Sequence, residues 1–286
     1  MIFAGGQVNS SSDAISCKPR RARLPHAALI CMSVIAASTA SAHAAWVEPR
    51  GDLLTISALT AYRADAFFES GGHTRQTERF EKFELSSYLA YGYSDKLTIG
   101  AQPTFVRVRT TSSRGTPSRT TLDNIELFGR REIRKGNGWV VSTQFNTKIR
   151  SNNSGRIDRR ERPNYRDIEV RLLSGHSGQW RRRDYFFSAE TGYRYRTGGA
   201  ANQLRLDATA GFRPTRDWQF LLQNFNINAT TQSGDPGTRF NLHKLQFSVL
   251  KDISRSTALQ LGGFTELAGR NTGAGHAIFG SLWRRF

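Results

Sequence analysis

The feature that most constrains this chain is a strict two-residue alternation carried over segments too long for ordinary strands. In "LRLDATAGFR", residues 204–213, Leu204, Leu206, Ala208, Ala210 and Phe212 fall on one side and Arg205, Asp207, Thr209, Gly211 and Arg213 on the other. Period two marks an extended strand whose two faces meet unlike surroundings. The pattern returns along the chain. Phe83, Leu85, Leu89, Tyr91 and Tyr93 oppose Glu84, Ser86, Tyr88 and Gly92, and Trp139, Val141, Phe145 and Ile149 oppose Ser142, Gln144, Asn146 and Lys148. Ile168, Val170 and Leu172 likewise oppose Asp167, Glu169 and Arg171, and Phe187, Ala189, Tyr193 and Tyr195 oppose Ser188, Glu190, Arg194 and Arg196.

Twelve such segments are predicted, at 53–63, 79–93, 97–110, 121–134, 139–150, 164–174, 183–196, 203–213, 217–230, 239–251, 257–268 and 275–286. A soluble β-sandwich and a membrane barrel both alternate. Ordinary domains, however, are about 20–25% strand with strands of about 5–6 residues, whereas these segments fill most of residues 45–286 and reach the ~9–11 residues of a tilted membrane-spanning strand. Connections after odd-numbered segments are long and those after even-numbered ones short, with the stretch between 174 and 183 as the exception. Long outside loops and tight periplasmic turns are the outer-membrane arrangement. The expected fold is an all-β, transmembrane antiparallel β-barrel of about 12 strands, with one face on lipid and the other lining a lumen, because a sheet can cross hydrocarbon only by closing on itself.

The low mean hydropathy of −0.50 fits strands that are half polar. Residues 1–44 read as a cleaved signal peptide: basic Lys18, Arg20, Arg21 and Arg23 precede "AALICMSVIAASTASAHA", which is short, rich in small residues and ends in an Ala-x-Ala site at Ala42–Ala44. Both cysteines, Cys17 and Cys31, leave with it, so residues 45–286 carry neither disulfide nor thiol nucleophile. Tyr91, Tyr93, Trp139, Trp180, Tyr185, Phe212, Trp218, Trp283 and Phe286 cluster near the periplasmic ends of the segments and are expected as an interfacial girdle. Pro103 removes a ladder hydrogen bond and predicts a bulge or bend.

Several stretches carry a resemblance. "Trp46…Pro49-Arg50-Gly51", "ELSSYLAYGYSDKLTIGAQ" (84–102), "LDNIELFGRREI" (122–133), "ETGYRYR" (190–196) and "LRLDATAGFRP" (204–214) resemble outer-membrane proteins similar to the meta-pathway phenol-degradation protein, the MetA-like family. The resemblance implies a barrel and the passage of small compounds, aromatic ones among them; it hands over no binding residues. The terminal Phe286 of "HAIFGSLWRRF" resembles the C-terminal aromatic signal read by the barrel assembly machinery, with Arg284 standing where that pattern has an apolar residue.

Candidate lumen residues are Glu126, Arg130, Asp167, Glu169, Arg171, Glu190, Arg194, Arg196, Arg205 and Asp207, which form either a charged constriction or a salt-bridge ladder that stiffens the wall. Within the set Glu169, Arg171, Glu190, Arg194, Arg196, Arg205 and Asp207, four cations stand against three anions, so a weak anion preference is expected. Arg156, Arg159, Arg160 and Arg162, with Arg75, Arg79, Arg114 and Arg119, are candidates for contact with lipopolysaccharide phosphates. Arg181, Arg182 and Arg183 are placed to face anionic phospholipid on the periplasmic side.

The six histidines form no triad or ligand set: "GHSG" at 175–178 is not a nucleophile elbow, and His243 and Ser248 have opposite parity. No catalytic residue, metal or cofactor is assigned, and an exported chain with dispersed arginines gives no footprint for nucleic acid despite its formal charge of +18. The expected function is a passive outer-membrane channel or facilitator for small solutes. The alternatives are a structural or adhesive barrel with a side-chain-filled lumen and, behind it, a lipid-modifying enzyme.

Overall fold

The computed structural model describes residues 45–111, 118–150, 166–197, 200–231 and 239–286. The predicted signal peptide, Arg114 and the loop arginines Arg156, Arg159, Arg160 and Arg162 lie outside the described residues. Twelve strands follow in order: β1 (Leu53–Phe68), β2 (Thr74–Ser94), β3 (Leu97–Thr111), β4 (Ser118–Gly136), β5 (Trp139–Arg150), β6 (Arg166–Trp180), β7 (Arg183–Arg196), β8 (Gln203–Arg213), β9 (Trp218–Ala229), β10 (Asn241–Asp252), β11 (Thr257–Arg270) and β12 (Thr272–Arg285). Each pairs antiparallel with its neighbours in sequence, and β12 pairs with β1, so the sheet is a closed barrel without edges. No α-helix occurs among the described residues.

Side-chain alternation sets which face turns outward. Leu206 is 43% exposed while Arg205 beside it is 3% exposed. The same inversion runs round the barrel: Phe83, Phe145, Val170, Tyr193 and Phe247 are exposed, and Glu84, Asn146, Glu169, Arg194 and Gln246 are buried. Exposing apolar side chains and burying charges is the reverse of a soluble protein and matches a barrel whose outer belt meets hydrocarbon.

Two expectations from sequence are corrected. The long stretch after residue 174 is not a loop, because β6 continues to Trp180 and the connection is the two-residue turn Arg181-Arg182. Both residues adopt positive φ, 50° and 64°, as a type I′ hairpin turn requires. At the equivalent β4–β5 turn the pair is Asn137-Gly138, φ 52° and 79°, which is the composition such a turn favours. A non-glycine residue held in the left-handed region costs about 1–2 kcal/mol, so the arginine pair is a local sacrifice, and without Asn or Gly it gives no turn signal. The second correction is Trp283, which is not a girdle residue. It shares parity with Phe279 and Ser281, faces inward, and its indole N–H donates to Gln260 Oε1 at 3.0 Å and to Ser281 Oγ at 3.1 Å. The remaining tryptophans of the predicted girdle, Trp139, Trp180 and Trp218, point outward.

At Pro103 the β2–β3 ladder skips two pairs without a change of register, and the nearest bulge lies on β4, one residue on. The β2–β3 ladder passes from Ser86↔Thr104 to Leu89↔Ala101, and β4 carries a bulge opposite Thr104 and Phe105. Closure of the barrel is finished by Phe286, whose backbone N–H donates to the Leu53 carbonyl at 3.0 Å and whose carbonyl accepts from Leu53 at 3.1 Å. Its ring stays on the outer face, 62% exposed, with the Arg284 guanidinium 4.7 Å from its centroid.

Candidate functional site

Inward side chains from β4 to β8 converge on one wall of the lumen. Arg171 of β6 is its hub: Nε lies 2.5 Å from Glu169 Oε1, and Nη1 donates to Glu190 Oε2 at 2.8 Å and Asp207 Oδ2 at 3.0 Å. Arg194 of β7 takes the other Glu169 oxygen, with Nε at 2.6 Å. Arg196 binds Asp167 Oδ1 at 3.2 Å, Lys148 binds Glu126 Oε2 at 3.2 Å, and Arg150 approaches Asp123 at 4.0 Å. Arg205 is held loosely, 3.8 Å from both Glu169 and Asp207. Cross-strand neighbours meet because residues that face each other in the ladder project to the same side: Glu169 opposes Arg194, Asp167 opposes Arg196 and Glu190 opposes Asp207.

All ten predicted lumen residues lie on the inner side, buried or half-buried. Nine of them belong to this network. Arg130 does not: it donates to Gln144 Oε1 at 2.7 Å, to Tyr88 Oη at 3.2 Å and to the Trp46 carbonyl at 2.8 Å. Asp123, Lys148 and Arg150 belong to the network too, though sequence reasoning did not single them out. Lys148 and Arg150 share the inward parity of Asn146, which was the available signal, whereas Asp123 has the outward parity of Ile125 and is the extra residue of the β4 bulge, which parity could not reveal. With them included, acids Asp123, Glu126, Asp167, Glu169, Glu190 and Asp207 face cations Lys148, Arg150, Arg171, Arg194, Arg196 and Arg205. The network is charge-balanced, and Arg130 is a further inward cation of this wall outside it.

The opposite wall, from β9 round to β1 and β2, is built differently. Gln246 Nε2 donates to Gln223 Oε1 at 2.8 Å, and Gln260 links Ser248 and Ser281, each at 2.8 Å. Above this amide layer stands an aromatic group, in which Tyr62 packs against Phe80 and Phe264 and donates to Glu266 Oε2 at 2.8 Å. Lys244 Nζ sits 4.5 Å from the ring centroids of both Phe225 and Phe264, within cation–π range. Lys82 and Glu84 form a buried pair at 2.9 Å.

The short-turn end is filled by residues that belong to no strand. Ala45 is fully buried against Val140 and Leu173, and its carbonyl accepts from Ser142 Oγ at 2.6 Å. The Trp46 ring meets Phe186 edge-on, centroids 5.9 Å apart, above an apolar layer that includes Ile56, Phe128 and Leu221. Glu48 donates its N–H to Thr98 Oγ1 at 2.8 Å, and its carboxylate lies 3.5 Å from Arg285 Nη1. Burial holds the Glu48 carboxyl above the ordinary glutamate pKa, against the opposing pull of Arg285 and Arg130. Two glycines make room: a Cβ at Gly175 would come within 2.5 Å of the Trp46 ring, and one at Gly92 would run into the Pro49 carbonyl.

The four described histidines lie away from the charged wall. His176 faces outward between Trp139 and Tyr185, and His243 Nδ1 is 2.6 Å from Asn226 Oδ1. His276 is exposed on β12, and His73 lies in the β1–β2 connection. Among the described residues no group of His, Cys, Asp and Glu is arranged to hold a metal ion. Arg75 and Arg79, two of the predicted lipopolysaccharide contacts, are exposed and paired with Glu69 at 2.7 Å and Asp65 at 3.6 Å.

No protein-family model and no curated protein sequence matches the chain. Solved structures match it in fold. An outer membrane channel from Pseudomonas putida F1 aligns with a TM-score of 0.61 at 12% identity, covering 85% of this chain and 98% of that one. The NanC porin aligns at 0.51 and 10% identity over 80% and 98% of the two chains. The translocator domain of the autotransporter NalP from Neisseria meningitidis aligns at 0.52 and 12% identity over 84% and 90%. The chain therefore has the closed twelve-strand fold of outer-membrane barrels, a fold shared by proteins of differing description.

Proposed function

We propose that this protein resides in the bacterial outer membrane and is a passive, narrow route for small solutes, stoppered at its periplasmic mouth by Ala45–Glu48. The observation that carries the reading is the way that mouth is filled. A lumen meant to be solid can be packed by strand side chains alone, whereas here a separate segment, joined to the sheet only through β1, occupies the space by contacts with Ser142, Arg130 and Thr98. The charged wall opposite an aromatic and amide wall favours small amphiphilic solutes, and the MetA-like resemblance points to aromatic ones. The role is non-enzymatic in this reading, which is supported by histidines placed outside the lumen. Residues 1–44 serve as the export signal, lipopolysaccharide meets the loop arginines, and Phe286 is the residue read by the assembly machinery.

A second reading has its own support. The balanced ladder and the buried glutamines Gln223, Gln246 and Gln260 are what a sealed, structural barrel would carry. Planar-bilayer conductance and liposome solute uptake separate the two. The channel reading expects low conductance from the protein with residues 45–48 in place and a clear rise when they are deleted, or when Gly175→Val crowds Trp46 out. If the deletion variant folds to a heat-modifiable barrel yet neither conducts nor admits a small phenol, the structural barrel is correct.

A further inference from the structure

The outer surface carries a concavity of about 560 Å³ near its short-turn end, lined by Trp180, Tyr185, Phe187, Phe212, Phe220 and Phe247 around the small side chain of Ala210. It arises from register. Tyr185 opposes Phe212, which opposes Phe220, and in the next outward row Phe187 opposes Ala210, which opposes Leu222 beside Phe247. A methyl group between large rings leaves a slot along β8, and successive outward rows are about 7 Å apart, so the slot runs in the direction of an acyl chain.

Cations crown the slot. Arg183 reaches across from β7 to the Pro214 carbonyl. Lys251 lies over the Trp218 ring at 5.1 Å, and the Arg181 guanidinium lies 4.9 Å from the ring of Trp180, itself a lining residue. Arg182 and Arg216 are exposed on the two adjacent turns, with Asp184 and Asp217 the nearby acids. Arg181 and Arg182 also hold left-handed backbone conformations where Asn137-Gly138 fills the matching turn without strain. Strain kept at an exposed position signals a use for the side chains, and the shared property of this pair is charge.

We propose that this is a binding site for an anionic phospholipid of the inner leaflet, with one acyl chain in the slot and the headgroup phosphate on the Arg181–Arg183 turn. Because the slot competes with surrounding hydrocarbon, the acyl contact contributes shape: only a seated chain holds the headgroup over the turn, where its net charge against the arginine forks gives the selectivity. The site does not depend on whether the lumen opens.

The test uses the folded protein in phosphatidylcholine vesicles that contain a minor fraction of phosphatidylglycerol, followed by detergent release and native mass spectrometry of the retained lipid. Tryptophan quenching by acyl-brominated phosphatidylglycerol against brominated phosphatidylcholine provides the second readout. The wild type should retain phosphatidylglycerol about tenfold over its share, equivalent to ~1.4 kcal/mol. R181N/R182G installs the favoured turn, so it should unfold at a temperature no lower than the wild type and still lose the preference. Ala210→Phe keeps the arginines, fills the slot and should also lose it. Equal retention of both lipids by the wild type, persistence of the preference in R181N/R182G, or persistence in Ala210→Phe each overturns the site as proposed.

Discussion

The two halves of the barrel interior solve one problem by different chemistry. From β4 to β8, salt bridges dominate the buried contacts, with Arg171 and Arg194 clamping Glu169 from both sides at 2.5 to 2.6 Å. From β9 to β12 an amide layer is neutral, with Gln246 bonded to Gln223 and Gln260 to Ser248, Ser281 and Trp283, and the buried charges Lys244 and Glu266 stand above it among aromatic rings. The difference lies in what happens when one member is lost. A broken amide pair leaves a dipole without a partner, while a broken ion pair leaves an uncompensated charge in a low-dielectric interior. The charged half is therefore a single cooperative unit, and the amide half is a set of separable contacts.

The largest expected effect breaks the charged half at its centre. Glu169→Gln leaves Arg171 and Arg194 without their shared carboxylate and should cost about 3–5 kcal/mol, read as a fall in the urea midpoint of the detergent-folded barrel. A loss below that of an amide-wall variant would show that the two halves do not differ as described.

Next comes a test of the inner face against the outer. Leu206→Arg puts a charge on the lipid side of β8 and should cost about 2–4 kcal/mol. Arg205→Leu, one residue away, should fold nearly normally, because the nearest carboxylate oxygens of Arg205 are 3.8 Å off and Glu169 keeps two closer arginines. Equal folding yields for the pair would reverse the faces.

In the amide half, Gln260→Leu should cost about 1–3 kcal/mol, because Ser248 loses its donor and Ser281 its acceptor while the Trp283 indole keeps only its weaker bond to Ser281 Oγ among those named above. Smaller still is the electrostatic signature of the balanced network. Once the stopper is removed, ion preference should be slight, and Arg194→Glu with Arg196→Glu should shift it toward cations at ~0.1 M salt, fading near ~1 M as the Debye length falls from about 10 Å to about 3 Å. Reversal potentials in asymmetric salt measure this.

The smallest effect concerns the stopper itself. Glu48 has a raised pKa when seated, so the seated form holds its proton more tightly than the released form does. Seating is fully favoured below the ordinary glutamate pKa and weakens as pH climbs through the interval up to the raised value. The emission of Trp46, in a variant whose other tryptophans are phenylalanine, should shift toward that of water-exposed indole over that interval, and Glu48→Gln should flatten the response.

Alternation by itself determined the architecture. One residue of slip would turn every apolar side chain inward, so the parity of Leu204, Leu206 and Ala208 was enough to assign lipid and lumen faces along β8, and the same held from β1 to β12. Inward placement of Glu169, Arg171, Arg194 and Asp207 was legible for that reason. Their pairing was not, because which acid meets which base depends on the register between strands. Only the ladder shows Glu169 opposite Arg194 and brings in Lys148 and Arg150 to balance the network.

The turn at Arg181-Arg182 was illegible because its conformation is one its residues do not favour. Trp283 misled because proximity to a strand end says nothing about facing, which parity alone decides. The seating of Ala45–Glu48 belongs entirely to tertiary structure. No local pattern tells a short stretch outside any strand that a closed sheet has left it a mouth to fill, with glycines at positions 92 and 175 shaped to receive it.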